Sequence, residues 1–304
     1  MKEKFSITLK NGIYGGLCPK LDKFDHDYFY VGDGWGSSFA SMRIRKLSLK
    51  DGGEVASFLV KNQIRCIYFS QNRSDLFVMS DKKFFILNRE DLTLKEKFDK
   101  KVPNYSDYVS FDENENLLLA NFVAQSLSIF NIKTQKTIKK RISASRGIFK
   151  EDENNYLFAS PYDGIYRYNL AKNKHELVLP TTLYSSIKIL KNGTIFLQSA
   201  SFVEKTETTH ERLAPISEIK IYKNLEDKNP KTLNFDFNFD SFEILENENK
   251  LFLIDRNKLN IYDISSKSLQ KYKFNNNIRS IIIKKKSIFT LDSIDGNKLT
   301  CYEL

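Results

Sequence analysis

One five-residue pattern (apolar, any, apolar, apolar, polar) returns seven times along this chain, and its spacing restricts the folds open to it. The copies are Ile44-Arg45-Lys46-Leu47-Ser48, Phe84-Phe85-Ile86-Leu87-Asn88, Leu127-Ser128-Ile129-Phe130-Asn131 and Ile165-Tyr166-Arg167-Tyr168-Asn169. They continue as Ile219-Lys220-Ile221-Tyr222-Lys223, Leu259-Asn260-Ile261-Tyr262-Asp263 and Leu299-Thr300-Cys301-Tyr302-Glu303. Only Lys46 and Arg167 interrupt the apolar third position. The fourth residues stand at 47, 87, 130, 168, 222, 262 and 302, in steps of 40, 43, 38, 54, 40 and 40 residues. Between copies, apolar residues recur at every second position in short runs bounded by Asn, Asp, Lys, Gly and Ser, the period of half-buried strands.

A second column keeps the same register. An apolar run ends on a small or polar residue just before each copy, at Gly32, Ser80, Asn121, Ser160, Ser199, Asp255 and Asp292. Units of about 40–45 residues with four strands are propeller blades. The chain is therefore expected to be all-β, a seven-bladed β-propeller in a single domain spanning 1–304. The second column marks the second strand of each blade, the signature is the third, and segments such as Thr137–Ile142 are the fourth. The seventh signature leaves its blade without an outer strand. Residues 3–9 alternate like a strand and are expected to supply it, closing the last blade and covering its edge.

Composition agrees. A length of 304 residues allows two average domains or one large all-β unit, and 24 Phe with 15 Tyr supply a sizeable core. With 12 Gly, 6 Pro and 3 Cys, collagen-like, low-complexity and disulfide-scaffold classes are excluded. The first residues lack the apolar run of a leader peptide, and the longest apolar stretch, near Leu117–Ala124, is far short of the ~18 residues that cross a bilayer. Cys18, Cys66 and Cys301 form no CxxC pair, so free thiols in a reducing cytoplasm are expected. The Lys-, Asn-, Ile- and Phe-rich usage suggests a bacterial source.

Around the third signature, Phe111-Asp112-Glu113-Asn114-Glu115-Asn116-Leu117-Leu118-Leu119-Ala120-Asn121 resembles the YVTN-type propeller repeat, in which a strand ending in Ala-Asn precedes the signature strand. The resemblance covers one blade by motif and the others by pattern. It implies a YVTN/WD40-like propeller. The paired Gly-His and Trp-Asp marks of true WD40 repeats are missing, and the class hosts enzymes, scaffolds and sensors alike.

In such a fold the first strands line a channel, and the second-to-third-strand loops gather on one face. Counting back from the signatures aligns Arg65, Asp107, Arg146, Ser186, Ser241 and Arg279 at one position, with Tyr14 or Cys18 in the first blade. Three guanidinium groups at one mouth suit carboxylate or phosphate, so an anion-binding mouth formed by Arg65, Asp107, Arg146 and Arg279 is one expectation. The competing one is that these arginines pair with neighbouring carboxylates and hold blades in register. Two long connections add candidates. One is the glycine-flanked Trp35, as an interface anchor or a plug over its own blade. The other is His210, in about fourteen extra residues of the fifth blade. Asp25-His26-Asp27 and the turn holding His175 read as surface turns.

The favoured function is non-catalytic: a cytoplasmic, monomeric module that binds a protein partner or a small anionic ligand. No cofactor, metal or membrane contact is implied. The net charge of +10 favours an acidic partner, but the Lys residues are scattered, which argues against nucleic acid. The alternative is a propeller enzyme of the lyase or lactonase type acting on a small substrate in the channel, which requires several carboxylates or histidines converging there.

Overall fold

In the computed structural model, the structure describes residues 1–8, 17–32, 42–122, 126–142, 144–203, 212–245, 249–284, 287–292 and 298–303, which form twenty-eight strands and no helix. Strand β1 (Lys2–Thr8) is followed by β2 (Leu17–Leu21), β3 (Tyr28–Gly32), β4 (Arg43–Ser48) and β5 (Glu54–Leu59), which make blade 1. Blade 2 holds β6 (Ile64–Phe69), β7 (Asp75–Ser80), β8 (Phe84–Asn88) and β9 (Leu94–Phe98). Blade 3 holds β10 (Val109–Phe111), β11 (Leu117–Phe122), β12 (Ser126–Asn131) and β13 (Lys136–Lys140). Blade 4 holds β14 (Gly147–Lys150), β15 (Asn155–Ser160), β16 (Gly164–Asn169) and β17 (Lys174–Leu179). Blade 5 holds β18 (Tyr184–Ile189), β19 (Ile195–Val203), β20 (Arg212–Tyr222) and β21 (Lys231–Asn234). Blade 6 holds β22 (Ser241–Leu245), β23 (Lys250–Asp255), β24 (Lys258–Asp263) and β25 (Leu269–Lys273). Blade 7 holds β26 (Ile278–Lys284), β27 (Ser287–Asp292), β28 (Lys298–Glu303) and, as its outer strand, β1.

The chain is thus an all-β, seven-bladed β-propeller, and every signature lies on a third strand. The N-terminal strand closes blade 7 with Lys2 opposite Glu303 and Thr8 opposite Lys298. The fifth blade corrects one expectation. Its extra residues are not all loop, because β19 and β20 continue as a paired ribbon to Val203 and Arg212. Past Ala200 no described residue of that ribbon is fully buried, so its sequence carries no clear apolar alternation and does not announce strands.

The strands fall into two compact units, one of Met1–Ala124, Ser128–Lys139 and Phe274–Leu304, the other of Gln125–Leu127 and Lys140–Lys273. In the first, the core is apolar layers between adjacent sheets. Phe29, Val31 and Leu47 of blade 1 pack with Phe289, Leu299 and Cys301 of blade 7, and Phe5 of β1 covers this cluster. Between blades 2 and 3 the layer is aromatic. Phe111 lies 4.6 Å from Tyr68 and 4.8 Å from Phe77 by ring centroids, and Phe98 meets Phe130 edge-on at 5.9 Å. In the second unit, Leu157 and Ile165 of blade 4 pack with Tyr184, Ile187 and Leu197 of blade 5, and Phe196 and Ile219 pack with Phe242 and Leu251 of blade 6. No helix among the described residues is long and apolar enough to cross a membrane.

Candidate binding surface at the second-to-third-strand turns

The start of each first strand decides which side chains reach this side of a blade. In β6 the register slips between Ile64 and Cys66, so Arg65 is an extra, bulged residue next to the turn after β7. The same slip occurs in β18 between Tyr184 and Ser186, and in β26 between Ile278 and Ser280. Bulges re-aim a side chain where a strand begins. Matching each strand to its partner through the second-column residues places Cys18, Arg65, Tyr108, Arg146, Ser185, Asp240 and Arg279 at one equivalent position. The three arginines stand where the sequence alignment puts them. Asp107, Ser186 and Ser241 are each displaced by one residue, because a period-two pattern does not reveal an inserted residue.

The arginines differ in environment. Arg65 donates from Nε to Asp81 Oδ1 at 2.6 Å and from Nη1 to Asp107 Oδ1 at 3.3 Å, and its guanidinium lies 5.6 Å from the Tyr105 ring centre. Burial pulls its pKa down, but Asp81 and Asp107 outweigh this and leave it raised. This guanidinium is a register lock between blades 2 and 3, which favours the pairing expectation over the anion mouth at this position. Arg146 has no carboxylate partner among the described residues. Its Nη1 reaches only the Ser145 carbonyl, at 3.4 Å, and its Nε is buried without a partner. Nearby, Tyr184 is fully buried, and that burial holds its hydroxyl well above the ordinary phenol range. The Arg146 charge lowers it and the Asp163 charge raises it. Arg279 lies on β26; Trp35 and His210 lie outside the described residues.

The second unit carries two further features. In blade 5 the ribbon of Ala200–Val203 with Arg212–Pro215 runs beyond its neighbours, since β18 pairs only as far as Ser199 and β21 only with Glu218–Ile221. Phe202 is 48% exposed and Ile216 39%. The ribbon base is tied to the blade-4 turn by Ala200 N–H donating to Leu183 O at 2.6 Å and Leu183 N–H donating to Pro161 O at 2.7 Å. That turn displays Tyr162, 48% exposed, and holds Asp163 through Ser160 Oγ at 3.0 Å. Blade 6 has a polar hollow of about 380 Å³ lined by Asn238, Asp240, Asp255, Arg256, Asn257 and Lys258.

The sequence reading missed Asp81, Tyr162, Asp240 and Arg256. Asp81 and Arg256 each directly follow a second-column residue, so that position was open to inspection. His26 Nδ1 lies 3.2 Å from the Asp22 carbonyl within its own turn.

These features sit on a seven-bladed β-propeller. The WD40 domain of Pan2 from Neurospora crassa is similar over 99% of this chain and 94% of that domain, with a TM-score of 0.71 and 9% sequence identity. At that identity the likeness establishes the fold alone. No protein-family profile and no curated protein sequence matches the chain.

Proposed function

We propose that this chain is a non-catalytic, protein-binding propeller whose fifth-blade ribbon docks an acidic partner. The observation that carries this reading is the overhang of β19 and β20 beyond their own sheet, which leaves both ribbon edges without a strand neighbour among the described residues. Free strand edges accept an added strand through main-chain hydrogen bonds, while pockets and exposed side chains select the sequence. Phe202, Ile216 and Tyr162 supply the apolar anchors, and Arg146, with unspent donors, supplies a carboxylate contact. A chain of net charge +10 attracts an acidic partner electrostatically. WD40 propellers generally bind protein partners, which supports the same reading. Trp35, His210 and Arg279 are assigned to the partner-facing side on sequence grounds, and the protein is read as a cytoplasmic monomer.

A photo-cross-linking amino acid at position 202, compared with one at Leu94 on the outer strand of blade 2, tests this in the native lysate. Leu94 is equally exposed, at 47%, so it controls for stickiness. The expected result is an acidic protein captured at 202 and not at 94, with capture lost in Arg146→Glu and falling as salt is raised. The same adducts from both positions, or salt-insensitive capture that survives Arg146→Glu, would overturn the reading.

A further inference from the structure

Blade 6 repeats the charge lock of blade 2 with the signs reversed and the pair left open. The turns correspond residue by residue. Cys66 pairs with Met79, and Ser80 N–H donates to Lys83 O across Asp81-Lys82; Ser241 pairs with Ile254, and Asp255 pairs with Lys258 across Arg256-Asn257. Asp240, whose N–H donates to Ile254 O at 2.7 Å, therefore occupies the position of Arg65, and Arg256 occupies the position of Asp81. In blade 2 these two positions meet at 2.6 Å. In blade 6 no ion pair joins Asp240 to Arg256, and neither side chain has a partner among the described residues. Both are exposed, and both line the hollow of about 380 Å³.

The rest of the lining is consistent with a ligand site. Asp255 is held by Lys258 at 3.5 Å, which leaves the Asp240 carboxylate and the Arg256 guanidinium as the uncommitted charges. Asn238 and Asn257 add amide groups. The lining is polar where most small-ligand sites are apolar, which suits a ligand that is itself charged. A ligand that meets both groups carries a cation for Asp240 and an anion for Arg256, as a basic residue does with its side chain and its carboxylate.

We propose that the blade-6 hollow binds a basic residue that carries a free carboxylate, its side-chain cation on Asp240 and its carboxylate on Arg256. A free basic amino acid and the C-terminal residue of a peptide share this chemistry. The inference is independent of the docking assigned to blade 5.

The test is a titration of the full chain, by calorimetry or by protein NMR, with L-arginine, with N-acetyl-glycyl-L-arginine and with agmatine, which keeps the guanidinium and lacks the carboxylate. The expected result is saturable binding of L-arginine, the peptide or both, at least tenfold weaker for agmatine and at least tenfold weaker in Asp240→Asn and in Arg256→Gln. Binding of the peptide alone identifies a chain end as the source, and binding of the free amino acid alone identifies a small metabolite. The paired swap Asp240→Arg with Arg256→Asp recreates the blade-2 lock and is expected to abolish binding while leaving the unfolding midpoint unchanged or raised. Absence of saturable binding, equal affinity for agmatine, or binding indifferent to both single substitutions would overturn the proposal.

Discussion

Asp22 is fully buried, and each of its carboxylate oxygens is used twice. Oδ1 accepts the backbone N–H groups of Phe24 and Asp25 at 2.9 and 3.0 Å, and Oδ2 accepts Tyr30 Oη–H at 3.1 Å and Arg89 Nη1–H at 2.5 Å. The Tyr30 hydroxyl also lies 2.6 Å from the Arg89 carbonyl, so its one proton is shared between that carbonyl and Asp22, and the cluster clamps blade 1 to blade 2. Removing one partner of a buried charge pair strands the other. Asp22→Ala is expected to cost about 3–5 kcal/mol, read from the denaturant midpoint, while an exposed carboxylate such as Asp236→Ala changes it by less than about 0.5 kcal/mol. Nearby, Lys46 fills one apolar signature position with its stem. Its ammonium lies 4.5 Å from the Tyr28 ring centre and donates to Glu90 O at 3.2 Å, and burial pulls its pKa down. Arg167, at the same signature position, is gripped by both Glu151 oxygens, at 2.6 and 2.7 Å. A sequence pattern marks both as interruptions and does not show what holds them, because the partners come from other turns. Tyr68 gives a pH prediction. Burial, then the charges of Glu115 and Glu113, push its pKa up to about 12. The folded state then keeps a proton that the unfolded chain loses above pH ~10, so stability falls between pH ~10 and ~12. Tyr68→Phe is expected to match the parent at pH 7 and to lose less stability over that window in parallel denaturation curves.

At the scale of strands and turns, period-two alternation was enough to place all seven third strands, since each buries an apolar face against a neighbouring sheet. What alternation does not encode is an inserted residue or a strand that runs on beyond its own sheet. The bulges at Arg65, Ser185 and Arg279 are therefore invisible to it, and the blade-5 ribbon reads as loop. Trimming that ribbon separates its role from that of its sheet. Replacing residues 201–214 by Asn-Gly, a favoured two-residue hairpin turn, leaves the pairing of β18 and β21 in place, because β18 pairs no further than Ser199 and β21 begins pairing at Glu218. The melting temperature is expected to stay within about 2 °C, no more than ~1 kcal/mol produces in a domain of this size, while capture of the partner by a cross-linker at Tyr162 is lost. The opposite holds at Gly164, which opens β16 at φ 130°. A Cβ there lies 2.2 Å from Leu179 O and 2.9 Å from Thr181 N, both backbone atoms of the strand and turn that follow β16. Gly164→Ala is expected to cost about 3 kcal/mol, measured by chemical denaturation, since neither the backbone angle nor the space accommodates it.

Across the whole molecule, the sequence showed both the repeat and its closure, because the count of signatures exceeds the count of outer strands by one and the N-terminal residues alternate. It did not show the register of that closure, which depends on a bulge between Glu3 and Phe5. The register carries a consequence for chain connectivity. Lys2 lies opposite Glu303, so a chain continued from residue 304 into residue 1 joins β28 to β1 through a two-residue connection, the shortest common hairpin. Deleting residues 1–8 bares the edge of β28 and strips Phe5 from its contact with Phe289, whose ring centre lies 6.2 Å away. An uncovered edge strand invites pairing with other chains. The deleted protein is expected to unfold at a lower temperature and to sediment as oligomers. A circular permutant that moves residues 1–8 to follow residue 304 restores the same strand in the same place and is expected to recover the parent melting temperature and sedimentation. If the permutant behaved like the deletion, strand pairing at blade 7 would not be what β1 contributes, and the connection from β1 to β2 would have to carry the effect instead.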